Sequence, residues 1–187
     1  MNQIAKTAFL AILVISAAYH SIYAEENSDG ENHNWLYEIR MGILAHDVTL
    51  WSRTREEGGV DVNAEFIFGF PGSELLSGVV YSNLGLSLNS RGDTSKAYAG
   101  LLWEYMWQSD IFFNLGLGLA VHDGQLDSSD DKKALGSRIL FRIPIEFGLL
   151  FTERQGVSVM FDHVSNAYLA DPNEGLDTIG VRYIYRF

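Results

Sequence analysis

The chain has 187 residues, a length that suits one domain. Its 13 Lys+Arg stand against 24 Asp+Glu, a formal net charge of -11, which argues against a nucleic-acid binder with a basic face. With no cysteine there is no disulfide scaffold, thiolate zinc site or thiol nucleophile, and a hydrophobic share of 47% is too high for a disordered chain.

Residues 1–24 read as a secretory signal peptide: Lys6 supplies a positive start, Ala8 to Ala18 is an uncharged apolar run, and Ile22-Tyr23-Ala24 offers a cleavage site. The run is shorter than the ~20 apolar residues that span a bilayer. Residues 25–34, EENSDGENHN, read as a polar amino-terminal tail, and 35–187 as the folded unit. No later stretch is apolar enough for a transmembrane helix, so any membrane insertion must use strands.

From residue 35 onward the hydrophobic pattern has period 2 rather than 3.6. Eight strands are predicted, near 35–45, 60–70, 75–88, 96–107, 111–121, 137–151, 156–166 and 176–187. One face of each is apolar, as in Trp35, Tyr37, Ile39, Met41 and Ile43, or Ile139, Phe141, Ile143, Ile145, Phe147, Leu149 and Phe151. The contrast is weakest in the third, with Leu76, Val80, Leu84, Leu86 and Leu88. The opposite face carries Glu38, Arg40, Glu65, Glu104, Arg142, Glu146, Asp162, Arg182 and Arg186, interleaved with glycines such as Gly42, Gly100 and Gly148.

A soluble barrel would turn the apolar face inward. The interior of an eight-stranded barrel is only just filled by side chains and could not hold so many large ones. Glycines and neutralising charge pairs fit there, which leaves the apolar face for lipid. Phe70, Trp107, Phe151 and Phe187 end alternate strands and would form an aromatic girdle at one membrane interface. Connections alternate short and long, as periplasmic turns and outer loops do, and Phe187 closes the chain on the apolar phase of Tyr183 and Tyr185. Lipid offers no partner to a strand edge, so the first strand must pair with the last. The expected fold is all-β, an eight-stranded antiparallel transmembrane β-barrel of the bacterial outer membrane.

The last two strands break their own pattern. The apolar phase Val157, Val159, Phe161 continues into His163 and Ser165, and the phase Tyr185, Tyr183, Val181, Ile179 runs back into Asp177. All three polar groups fall on the lipid-facing side near the outer end. His163 and Ser165 are two apart on one strand, about 6.5–7 Å at Cα. Asp177 reaches the imidazole if the register sets it beside His163. A serine nucleophile, a histidine base and an orienting carboxylate form a hydrolytic triad. The competing reading is a polar collar among lipid head groups, on a non-catalytic small barrel acting as an adhesin or membrane-stabilising protein.

His163-Val-Ser-Asn-Ala167, with Asn173-Glu-Gly175 and Asp177, resembles the signature of the lipid A 3-O-deacylases, the PagL-like acyloxyacyl hydrolases. Gly42-Ile-Leu-Ala-His-Asp-Val48 is similar to that family's early segment. The resemblance implies an eight-stranded outer-membrane barrel that cleaves the 3-position acyl ester of lipid A. Under it Ser165 is the nucleophile, His163 the base, and Asn166 and Asn173 shape the site or support the oxyanion. The family's acid is typically glutamate, whereas Asp177 stands here, one methylene shorter; Glu174 is the local alternative. Lipid A, in lipopolysaccharide, is the implied substrate, reached by diffusion in the leaflet among outer-membrane lipids, with no metal or organic cofactor. A phospholipid substrate and a homodimer are alternatives the sequence leaves open.

His46-Asp47 and His122-Asp123 sit at strand-to-loop junctions and could bind a divalent cation, although solvated loops are the commoner case. Asp127 to Lys133 reads as an exposed loop. Arg53, Arg55, Lys96, Lys132 and Lys133 lie in or near outer loops, where they could meet lipid A phosphates.

Overall fold

A computed structural model describes residues 35–69, 73–107, 110–128 and 132–187. The expected signal peptide, the polar tail, Phe70 of the girdle and residues 129–131 of the acidic loop lie outside the described residues. Among the described residues nine strands form: β1 (Leu36–His46), β2 (Val60–Phe68), β3 (Glu74–Leu75), β4 (Gly78–Asn89), β5 (Lys96–Met106), β6 (Ile111–His122), β7 (Ile139–Leu150), β8 (Gln155–Ser165) and β9 (Leu176–Arg186). Eight of them make one closed antiparallel barrel. Each pairs with its neighbour in sequence, β2 pairs with β4, and β1 closes on β9.

The two faces are sorted as the alternation predicts. Met41, Ile43, Val62, Leu117, Phe147, Val159 and Val181 point outward with half or more of their surface exposed. That surface is stable only against hydrocarbon. Trp35, Trp107, Phe151 and Phe187 are exposed together at the end with the shorter connections, as a girdle requires. Inside, Glu38, Glu65, Glu104, Glu146 and Asp162 meet Arg40, Arg142, Arg182, Arg186 and Lys96 in one buried lattice of ion pairs. The two sets are equal in number, so the lattice balances its own charge, and removing one member would strand a buried partner at a cost of about 3–5 kcal/mol.

Two features differ from the expectation. The third predicted strand began too early. Leu76 and Ser77, both at positive φ (49° and 63°), form a two-residue hairpin between β3 and β4, and Leu76 is exposed in that turn. It shares the parity of Val80 to Leu88 without sharing their strand. The lumen also contains apolar layers beside its charges. Phe112, Leu150 and Ile184 form one; Ile67, Tyr81 and Leu102 another; Tyr98, Leu135, Leu140, Val164 and Leu176 a third at the long-loop end. Gly148 makes the first possible, because a Cβ there would stand 2.0 Å from the Phe112 ring.

The third layer matters for what lies outside it. Val164 pairs with Leu176, and both side chains are buried inside the barrel. The adjacent pair, His163 opposite Asp177, therefore turns to the outer wall. A slip of one residue would exchange the two faces and bury the imidazole in the lumen.

Candidate active site

At the long-loop end of β8 and β9 the register puts His163 directly across from Asp177, and Nδ1 of His163 lies 2.6 Å from Asp177 Oδ1. The other carboxylate oxygen, Oδ2, accepts hydrogen bonds from the backbone N–H groups of Leu50 (3.1 Å), Trp51 (2.6 Å) and Ser52 (2.7 Å), and from the Ser52 hydroxyl (3.1 Å). Both oxygens are thus occupied by donors, a setting that suits an ionised carboxylate and fixes its plane. Asp177 is fully buried, covered by the loop after β1, rather than exposed to lipid.

A histidine whose Nδ1 donates to a carboxylate presents Nε2 as the basic nitrogen. His163 keeps 15% of its side-chain surface and, with Ser165, lines an open cavity of about 410 Å³. Among the described residues no hydrogen bond joins the Ser165 hydroxyl to the imidazole. Such contacts commonly tighten only with substrate in place. Gly175 closes over the ring from the other side, at φ +65°, where a Cβ would come 3.1 Å from His163 Cε1. Directly after Ser165 and Asn166, Ala167 and Tyr168 are both held at positive φ, 53° and 60°. Consecutive left-handed residues without glycine are strained and are retained where the surroundings fix them.

The two asparagines have different stations. Asn166 is buried, and its Nδ2 donates to the carbonyls of Leu135 (3.0 Å) and Pro172 (2.8 Å). It clasps the β6–β7 and β8–β9 loops together. Asn173 accepts the Asn166 N–H on Oδ1 (3.0 Å) and lines the cavity, so its Nδ2 is the end left to meet a ligand. Glu174, the alternative acid, accepts instead from the Ala134 N–H, and among the described residues no hydrogen bond or ion pair joins it to His163.

The carboxyl-terminal part of the chain, residues 78–186, matches the family model described as lipid A 3-O-deacylase (PagL). The chain belongs to this lipid A 3-O-deacylase family. It is 32% identical over 82 residues to the lipid A deacylase PagL of Bordetella bronchiseptica, a match covering 43% of this chain and 44% of that relative. The chain thus aligns with less than half of that relative's length. Among solved structures, the outer membrane enzyme PagL superposes with a TM-score of 0.59 at 21% identity, over 79% of this chain and 99% of that one. The amino-terminal barrel domain of Pseudomonas aeruginosa OprF gives 0.51 at 11% identity, over 80% and 98%. These likenesses carry the fold, and this deacylase-family chain is an outer-membrane β-barrel.

The remaining candidates fall elsewhere. His46 lies in the lumen between Glu57 and Asp61, each at 2.8 Å. Asp47 accepts the N–H groups of Glu56 and Glu57, His122 meets the Ser137 carbonyl at 2.7 Å, and Asp123 accepts the Ser95 N–H. All four thus hold loops together. Lys96, expected near an outer loop, points into the lumen and pairs with Asp162 at 2.7 Å, because its position at the start of β5 is in the inward phase. Lys133 is likewise buried, against Asp47 and Thr54. Lys132 lies 3.4 Å from Asp93. Arg53 lines the cavity, and Arg55 is exposed.

Sequence reasoning missed Trp51, Ser52 and the purpose of Gly175. A strand pattern cannot register backbone donors from a distant loop. The glycine itself, at positive φ (65°) just before β9, was the one legible hint.

Proposed function

We propose that the chain is an outer-membrane esterase that removes the 3-O-linked acyl chain of lipid A, with Ser165, His163 and Asp177 as its hydrolytic unit. The observation that carries this reading is the 2.6 Å contact of His163 Nδ1 with Asp177, where His163 lines a cavity together with Ser165. Membership of the deacylase family supports the choice of ester.

In this mechanism the Ser165 hydroxyl attacks the acyl carbonyl and His163 Nε2 takes its proton. The carbonyl oxygen becomes an oxyanion, for which the Asn173 Nδ2 is a candidate donor. Collapse breaks the ester bond, and the imidazolium returns the proton to the departing sugar oxygen. A water molecule, deprotonated by His163, then attacks the acyl-serine; the bond to Ser165 Oγ breaks, the imidazolium returns its proton to that oxygen, and the free hydroxyacid departs. Asp177 holds the tautomer and stabilises the imidazolium throughout. The partly buried site strengthens these charge interactions relative to water. Substrate arrives by lateral diffusion in the leaflet.

The test is the mass of lipid A from cells expressing the protein. Wild type is expected to shorten lipid A by one hydroxyacyl chain. Ser165→Ala should insert and fold normally yet lower the rate on the order of 10³-fold or more. Equal acyl loss in both would overturn the mechanism, and no loss with folded wild type would favour a non-catalytic barrel.

A further inference from the structure

The hydrolytic reading uses one oxygen of Asp177 and asks of the loop after β1 only that it hold the other. Three consecutive N–H groups, those of Leu50, Trp51 and Ser52, converge on the other oxygen, and the Val48 N–H donates to the Asp177 carbonyl at 3.0 Å. Successive backbone donors around one oxygen make an anion nest. The loop is thereby indexed to the same carboxylate that orients the imidazole.

The nest fixes the indole of Trp51. Its ring lies edge-on to His163 at 5.2 Å and 63°, and to Phe161 at 5.0 Å and 72°. Half of its surface, 51%, remains exposed on the lipid-facing wall, and it lines the cavity that holds Ser165. Tyr168 and Leu169, both largely exposed, stand on the loop after β8. The exposed half of the indole and Ser165 share one cavity, so an acyl chain held at Ser165 has the ring within its reach. A rigid aromatic ring supplies broad apolar contact with little loss of side-chain freedom.

We propose that Trp51 is a specificity-determining residue whose indole forms the wall along which the scissile acyl chain lies, in a position set by Asp177 through the Leu50–Ser52 nest. This rests on the hydrolytic reading above and adds the element that senses chain length.

The experiment compares purified full-length barrel in detergent micelles on p-nitrophenyl butyrate and p-nitrophenyl myristate. Trp51→Ala is expected to lower kcat/KM on the myristate about 10-fold, mainly through KM, and on the butyrate less than about 3-fold, because only the long ester reaches the wall. Trp51→Phe should retain most of the long-chain preference, and Trp51→Leu, which avoids a void, should lose part of it. Equal losses on both esters, or no change on either, overturn the proposal. Ser165→Ala separates the two claims. If it is inactive while Trp51→Ala treats both esters alike, only the chain-length wall fails. If it is as active as wild type, the nucleophile fails and the wall falls with it.

Discussion

Two histidines at the same end of the barrel meet carboxylates, and they are built for opposite ends. His46, in the lumen, has an acid on each ring nitrogen, Glu57 and Asp61, and is fully buried. His163 has Asp177 on one nitrogen and lines an open cavity. The two stand near each other: His46 pairs in register with Thr178, the residue after Asp177. A carboxylate next to a histidine therefore says little by itself. What distinguishes a base from a structural cation is a nitrogen left unclaimed and a path by which a substrate reaches it.

Exchanging the roles of the two histidines is the strongest way to break this comparison. His163→Gln should lower ester hydrolysis on the order of 10³-fold with little change in stability. His46→Gln should leave activity per folded molecule within about 3-fold, but cost about 3–5 kcal/mol, since two buried acids lose their partner. Turnover and thermal unfolding of the two purified variants check this, and a reversed pattern would refute it. Gly175→Ala sharpens it further. A side chain there is strained at φ +65° and presses on His163 Cε1, so a loss of about 10-fold in kcat is expected, with the His46 cluster untouched.

The smallest effect concerns acid. Burial pushes the Glu57 carboxyl up, but the donors His46 and Thr94 outweigh it and hold the group below the ordinary carboxylate value. A carboxyl lowered in the folded state adds stability above its unfolded pKa, about 4.3, and loses it as pH falls through the lower folded value. Amide protection of Thr94 and Lys133, which donate to Glu57, should therefore weaken below about pH 4 before that of β8. Uniform loss across both would show that the cluster is not the acid-sensitive part.

The barrel was legible because two solvents act on one strand, and lipid and lumen impose a strict period of 2. His163 and Ser165 were legible for the same reason, as polar residues in a greasy phase. The pairing of Asp177 with His163 needed the β8–β9 register, which the Val164–Leu176 contact fixes and no local motif announces. Leu76 misled because parity continues through a tight turn. Trp51 and Ser52 were invisible because their link to Asp177 spans 126 and 125 residues and runs mainly through main-chain N–H groups. Lys96 looked like a surface cation until the inward phase of β5 placed it beside Asp162.

The packed lumen has a bearing on traffic. Arg40, Leu44, Ile67, Phe112, Asn114, Met160 and Ile184 are all closed to solvent, and they span the height of the barrel. Among the described residues these layers leave no open path along the middle, so the barrel is a stake rather than a conduit. If the proposed hydrolysis takes place, its water must arrive past the loops rather than through the lumen, and its fatty product leaves by the same open side.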